Sequence, residues 1–198
     1  MADPQPTSDF SVTKLKSNLL KGGARPSLFQ VELLFPPVAG IKQPTIKSKF
    51  LVKGATIPAS TIGAYDVFFH GRAVKVAGDR TFDTWETTII NDEDFAIRSR
   101  IEEWINLISN HTLNTRDSRM PSNIKEGENA DYKQEMTVKQ YGKDGSIKRK
   151  YTFSGIFPTA IGAINLDWGT QDIEEFTCTW TYDKWTAVGG GSGSTRDF

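Results

Sequence analysis

The chain has 198 residues, of which 37% are hydrophobic, 24% charged and 11% aromatic, a composition typical of a folded soluble domain. Lys and Arg together number 24, as do Asp and Glu, so the formal net charge is zero, whereas a generic nucleic-acid binder usually has a basic excess. No apolar run approaches the roughly 20 residues that cross a bilayer, and the first ten residues lack the basic and apolar regions of a secretory signal. The single cysteine, Cys178, excludes an internal disulfide framework and a Cys-rich zinc site. We therefore expect a protein made in the cytosol, and its balanced charge permits copies of the chain to associate.

Polar segments flank the predicted domain at both ends. Residues 1–24 include Gly22-Gly23 and are expected to form a flexible N-terminal arm, in which residues 12–21 have the spacing of a short amphipathic helix. Residues 186–198 include Gly189–Ser194, which has the composition of a flexible linker. The sequence therefore predicts one domain over residues 25–185.

Alternation of apolar and polar residues predicts that this domain is mainly β. A strand is expected over Phe29–Phe35, and a second over Lys49–Ile57, which stops at Pro58. Tyr65–Ala77 has the pattern of two short strands around His70-Gly71, and the β-branched residues of Thr81–Ile90 predict another strand.

The C-terminal half continues the same pattern. Glu135–Phe157 is predicted to be a hairpin, because Gly142 and Gly145 supply the positive φ angles that a tight turn requires. A last strand is expected over Ile173–Trp185. One of its faces carries Phe176, Cys178, Trp180 and Tyr182, and the other carries Glu175, Thr177, Thr179 and Thr181.

One amphipathic α-helix interrupts the strands, at about residues 92–110. Asn91 or Asp92 can cap its start. Its apolar residues recur at spacings of three and four and are Ile97, Ile101, Trp104, Ile105 and Ile108. The predicted fold is an antiparallel β-barrel or sandwich with this helix over one open end. Its candidate core residues are Phe29, Val31, Trp85, Ile101, Trp104, Ile105, Phe176 and Trp180.

No group of residues has the spacing of a catalytic, cofactor or metal site. The acidic cluster Asn91–Asp94 fails the pattern of a calcium-binding EF-hand, because Ile97 stands where the glycine is required. His70 and His111 are the only histidines and belong to no zinc motif. Cys178 lies on the apolar face of the last predicted strand, where a cysteine acts as a small hydrophobe. We therefore expect no enzyme activity, no cofactor and no bound metal.

Charge is distributed unevenly near the C-terminus. Basic residues predominate over Lys133–Tyr151, whereas Asp167–Asp183 contains five acidic residues and no basic one. Two interpretations remain open: solvated strand faces, or complementary surfaces that meet between subunits.

Eight segments in order resemble one known family, and together they span about residues 24–185. They are Ala24–Glu32, Val76–Trp85, Asn91–Asp94, Tyr132-Lys133, Val138–Tyr141, Phe157–Thr159, Leu166–Trp168 and Tyr182–Trp185. In this order they resemble the tail tube proteins of contractile-tailed, T-even-like bacteriophages. The resemblance also implies kinship in fold with the tubes of type VI secretion and R-type pyocins.

The resemblance implies a structural virion protein that forms hexameric rings. Six copies would complete a larger β-barrel, and the rings would stack into a hollow conduit for DNA ejection, inside the phage tail and assembled in the host cytoplasm. The implied partners are the tail sheath protein, the baseplate and tail-terminator proteins, and the tape-measure protein and DNA, which would occupy the lumen transiently and weakly. Neither a cofactor nor membrane insertion is implied.

The uncharged segment Gly54–Ala64 is a candidate for stacking between rings. Ile57 and Ile62 are apolar, Pro58 stiffens the segment, and Gly54 begins it. In related tubes the loop at this place reaches toward the neighbouring ring. The alternative is a loop that folds back over its own core. Two alternatives to the phage role also remain open: a tube subunit of a non-phage contractile injection system, and a monomeric β-sandwich binding module, which would show the same alternation.

Overall fold

The computed structural model describes residues 11–19, 22–36, 45–112, 115 and 132–189. The outer parts of both predicted terminal segments, residues 1–10 and 190–198, lie outside the described residues. The elements in chain order are α1 Val12–Asn18, β1 Phe29–Leu33, α2 Thr45–Leu51, β2 Val52–Ala55, β3 Ser60–Phe69, β4 Arg72–Phe82, β5 Trp85–Ile90, α3 Ala96–Ile108, β6 Gln134–Tyr141, β7 Ile147–Ile161, β8 Glu175–Thr181 and β9 Lys184–Gly189. The prediction of a mainly antiparallel β domain with one long amphipathic helix is confirmed.

The main sheet runs in the order β1-β6-β7-β8-β5-β2, and β9 also pairs with β7. Every pairing in it is antiparallel. The long strand β7 connects two halves of the sheet, because its first part pairs with β6 and β9 and its last part pairs with β8. In the described residues β1 and β2 are the two ends of this order and do not pair with each other, so the sheet of one copy is not a closed barrel.

Strand β7 changes direction at Gly155, which has a φ of +70°. A Cβ at this position would collide with the carboxylate of Asp183. That carboxylate accepts hydrogen bonds from Lys133 Nζ at 2.7 and 2.8 Å, and the Asp183 backbone N–H donates to Ser154 O at 3.1 Å. Only glycine combines this backbone conformation with so close an approach, and the bend lets both halves of the sheet cover one core.

Aromatic rings fill the centre of this core. The ring centroid of Trp85 lies 4.5 Å from that of Phe153, and Trp180 lies 5.9 Å from Trp104. Of the candidate core residues, Val31, Trp85, Ile101, Trp104, Phe176 and Trp180 are buried, and Phe29 and Ile105 are partly buried and pack against them.

Helix α3 packs its apolar stripe on the sheet, where it contacts β7. Ile97, Ile101 and Trp104 are buried, and the Trp104 indole donates a hydrogen bond to Tyr132 O at 2.8 Å. The helix begins later than predicted, at Ala96, and Phe95 rather than Asn91 or Asp92 is its N-cap residue. Asp92 Oδ1 still accepts a hydrogen bond from the Ala96 N–H at 2.9 Å, so this carboxylate satisfies a free donor at the helix start.

Three predicted strand boundaries are wrong. Thr45–Leu51 is helical, so the strand predicted over Lys49–Ile57 is reduced to Val52–Ala55. Tertiary contacts hold this short helix: the Ser48 hydroxyl accepts the Leu33 N–H at 3.1 Å, and Leu51 packs against the core. The strand predicted over Thr81–Ile90 is interrupted after Phe82, and the one over Ile173–Trp185 is interrupted after Thr181, next to the β7 bend.

Strands β3 and β4 form a separate two-stranded sheet that does not join the main one. No helix within the described residues has the length and apolar composition that a bilayer crossing requires.

Candidate assembly surface

The hairpin of β3 and β4, here called the arm (Ser60–Phe82), is exposed along nearly its whole length. Its turn is formed by His70 and Gly71, with φ angles of +47° and +81°, and two successive positive φ angles suit the right-handed twist of paired strands. The arm therefore confirms the predicted hairpin but is longer than the pattern indicated, and it buries almost none of its side chains in its own chain.

One face of the arm is strongly apolar. Tyr65 pairs with Val76 and Val67 with Val74, so these side chains lie side by side on the same face. The exposed fractions are 59% for Tyr65, 55% for Val67, 70% for Phe69, 54% for Val74 and 48% for Val76. An isolated two-stranded hairpin is marginally stable in water, and a contiguous exposed apolar patch marks an interaction site.

The segment predicted to stack rings was expected to be a loop between strands, but it begins inside β2 and ends inside β3, so only residues 56–59 lie between strands. Its backbone is fixed and its isoleucines are exposed. The indole N–H of the buried Trp85 donates to Thr56 O at 2.7 Å, and that of Trp185 donates to Ala59 O at 3.3 Å. Pro58 is buried and Gly54 is half-buried beside Thr88. Ile57 and Ile62, by contrast, are 55% and 53% exposed, so neither covers the core of its own chain.

A third exposed surface is the β7–β8 loop (Gly162–Glu174). Trp168 is fully exposed at 105%, Leu166 at 81% and Ile173 at 71%. The loop also carries Asp167, Asp172 and Glu174 and no basic residue. A tryptophan without any covering contact in its own chain is a typical centre of a protein–protein interface.

The charge complementarity considered from the sequence is partly satisfied within one chain. Lys133 from the basic stretch pairs with Asp183 from the acidic stretch at 2.7 Å. Glu175 pairs with Lys53, and Lys139 pairs with Glu32 at 2.7 Å. The carboxylates of Asp167 and Asp172 have no salt bridge among the described residues, so the β7–β8 loop keeps its negative charge.

The described part of the chain contains no group of three or more His, Cys, Asp or Glu that could hold a metal ion. His70 forms the turn of the arm, and burial raises the pKa of the Cys178 thiol, which keeps it protonated and unreactive. Burial alone would raise the pKa of Asp92, but hydrogen bonds from Lys47 and from the Ala96 N–H outweigh it and hold this pKa below its ordinary value. The acidic cluster at Asn91–Asp94 thus has a structural role at the start of α3.

The sequence pointed to the Gly54–Ala64 segment through its lack of charge, and to the β7–β8 loop only through the acidic stretch Asp167–Asp183. It did not identify the arm or Trp168 as parts of a surface. The alternation of Tyr65, Val67 and Phe69 is the same for a strand that faces a core and one that faces solvent. One feature of the sequence could have indicated that the hairpin is exposed: Phe68 breaks the alternation and would place an apolar ring on each face of the hairpin. Trp168 next to Gly169 in an acidic loop was a second.

The fold is that of proteins in contractile injection machines. A chain in the cryo-EM structure of the anti-feeding prophage baseplate, 6-fold symmetrised, aligns with a TM-score of 0.60 at 12% identity over 84% of this chain and 96% of that one. A chain in the extended sheath-tube complex of the extracellular contractile injection system PVC aligns with a TM-score of 0.56 at 14% identity, covering 90% and 98% of the two chains.

Sequence relatives then define the family. Tail tube protein gp19 of Enterobacteria phage T4 is 32% identical over 164 residues, which cover 82% of this chain and 90% of that protein. The tail tube protein of Serratia phage KSP90 is 23% identical over 87% of this chain and 94% of the relative. The model of the family described as phage tail tube protein matches residues 24–188. The chain belongs to the phage tail tube protein family, as the resemblance in the sequence predicted.

Proposed function

We propose that the chain is the structural subunit of the inner tail tube of a contractile-tailed phage, and that its copies form hexameric rings stacked into a hollow conduit for DNA ejection. The observation that carries this proposal is the likeness to the T4 tail tube protein over nearly the whole length of both chains. The protein acts in the virion tail, and its role is structural rather than enzymatic.

The exposed surfaces of the single chain support assembly. The arm, the isoleucines of the Gly54–Ala64 segment and the β7–β8 loop all present apolar side chains to solvent. Within the described residues β1 and β2 are edge strands of the main sheet, and pairing between copies would remove such edges. Six copies related by rotation would bring these surfaces together, as the 6-fold symmetry of the structurally similar baseplate suggests.

The proposed partners follow from the same role. A tail sheath protein would surround the tube, baseplate and tail-terminator proteins would bound its ends, and the tape-measure protein and DNA would occupy its lumen. The structurally similar chains belong to baseplate, cap and sheath-tube complexes. Ring stacking is assigned to Gly54, Ile57, Pro58 and Ile62, because two indoles fix this backbone while both isoleucines point to solvent.

The experiment that tests the function is negative-stain electron microscopy of the purified chain with sedimentation velocity. We expect rings and hollow tubes, whereas a protein that stays monomeric at every concentration would favour a β-sandwich binding module. Neighbouring genes separate the phage tube from the tube of a non-phage contractile injection system, because only the former lies among capsid and DNA-packaging genes.

A further inference from the structure

We infer that the apolar face of the arm in one copy packs on the β7–β8 loop of the next copy, with Trp168 at the centre of the contact. This inference rests on the proposed function, since it names the two surfaces that join neighbouring subunits. It concerns the outer half of the arm, Tyr65–Val76, and is separate from the stacking segment before it.

Both surfaces are incomplete within one chain. Trp168 is fully exposed, so the arm of its own chain does not cover it. The apolar face of the arm likewise lies outside the core, and its side chains are about half exposed or more. When one of two different surfaces on a copy binds the other surface on the next copy, the contact is head-to-tail. Repeating such a contact generates either a closed ring or a filament.

The two surfaces are complementary in charge and in chemistry. The β7–β8 loop has three carboxylates and no basic side chain. Arg72 lies directly opposite Phe69 on the apolar face of the arm, and among the described residues it has no carboxylate partner, whereas Lys75 on the other face is paired with Asp66 at 2.9 Å. Arg, Tyr and Trp are the side chains that dominate interface energetics, and a guanidinium stacks well on an indole. Arg72 is therefore the side chain of the arm that would pair with the carboxylates of the β7–β8 loop and stack on Trp168.

Mixing two assembly-defective variants tests the pairing. Val67→Asp disables the arm, and Trp168→Asp disables the loop, but each variant keeps the other surface intact. Each alone is expected to sediment as a monomer, and an equimolar mixture as a dimer that grows no further, because only one productive contact remains. The matched control is Phe68→Asp, which is 74% exposed on the opposite face of the arm and should assemble like the wild type.

Two results with the variants would overturn the inference. Rings formed by either variant alone would show that its surface is dispensable, and a mixture that stays monomeric would show that the two surfaces do not meet. If the wild type forms tubes and the variants also assemble, only the arm–loop pairing is refuted. If the wild type itself never assembles, the proposed function is refuted as well. Since neither substituted side chain is in the core, circular dichroism melting of both variants should match the wild type.

A charge exchange gives a second measurement that does not depend on the apolar residues. Arg72→Glu and Asp172→Lys should each weaken assembly at least tenfold, because each places like charges opposite one another. The two changes combined in one chain should restore assembly toward the wild-type concentration dependence. A combined variant that assembles no better than either single one would contradict the arm–loop contact.

Discussion

At the scale of single residues, the tryptophans show how one side-chain type serves different purposes in this molecule. Trp85 is buried and its indole fixes the backbone at Thr56, so it links the core to the proposed stacking segment. Trp104 joins α3 to the sheet. Trp168, in contrast, is fully exposed. An indole has a large apolar surface and one donor, so its burial decides whether it stabilises the fold or an interface.

Trp104→Ala is expected to destabilise the fold by about 3–5 kcal/mol, the range for removing a large buried aromatic side chain. Trp104 is 1% exposed, and its ring lies 6.1 Å from Phe35 and 5.9 Å from Trp180. Thermal melting followed by circular dichroism measures the loss. The matched control is Trp168→Ala, which should leave the melting temperature unchanged. A Trp104→Ala protein with the melting temperature of the wild type would contradict the packing of α3.

Gly155→Ala is expected to lower the free energy of unfolding more than Gly145→Ala does. Both glycines have positive φ, +70° and +72°, so both substitutions incur the cost of that conformation, roughly 1–2 kcal/mol. Only at Gly155 would the new Cβ also collide with Asp183, since nothing lies within 4 Å of the position at Gly145. Urea unfolding of the two variants compares them, and equal losses would mean that Asp183 moves aside at little cost.

At the scale of elements, the sequence predicted those whose determinants are local. The turn glycines of the β6–β7 hairpin, the His70-Gly71 turn and the periodic stripe of α3 all lie within the segments that they define. Helix α2 was missed because a hydrogen bond from a residue of β1 to Ser48 holds it. The break after Thr181 was missed because Asp183, which lies at the break, makes its contacts with Ser154 and Gly155 on a different strand.

The same distinction applies to the candidate surfaces. A lack of charge in the Gly54–Ala64 segment was visible in the sequence, as were Ile57 and Ile62. Whether those side chains face solvent depends on the indoles of Trp85 and Trp185, which come from distant parts of the chain. Exposure is a property of the complete fold, so a local pattern identifies candidate residues but not which way they face.

Changing Ile57 and Ile62 together to Asp is expected to prevent stacking while leaving single rings or folded monomers. Both side chains are about half exposed in one copy, so the substitutions cost little folding stability, whereas a stacked interface would bury two unpaired charges. Electron microscopy counts rings and tubes. The control is Ile147→Asp, at an isoleucine that is 41% exposed at the start of β7.

Two outcomes would contradict the stacking assignment. Tubes of normal length from the double variant would show that the segment does not lie between rings. A double variant that is unfolded by circular dichroism would favour the alternative, in which these isoleucines support the fold of their own chain.

At the scale of the whole molecule, the assembled tube is expected to bind duplex DNA weakly or not at all at physiological salt. The net charge of the chain is zero, and residues 167–183 contain five acidic residues without a basic one. Affinity for DNA comes mainly from phosphate neutralisation and the release of counterions, and strong binding along a conduit would slow passage. A mobility-shift assay with assembled tubes measures it, and tight binding that weakens steeply with added salt would contradict the expectation.

The separation of the arm from the core also has a consequence for the time course of assembly. A ribbon of two strands without a core gains part of its order only when a neighbouring copy covers it, and this loss of conformational freedom opposes the first encounters between free copies. At the end of an existing tube the arms are already ordered by their neighbours. Such an end therefore binds a further copy more readily than two free copies bind each other. Growth of this kind starts with a lag and then proceeds rapidly from seeds, which keeps a pool of unassembled chains available until a template is present.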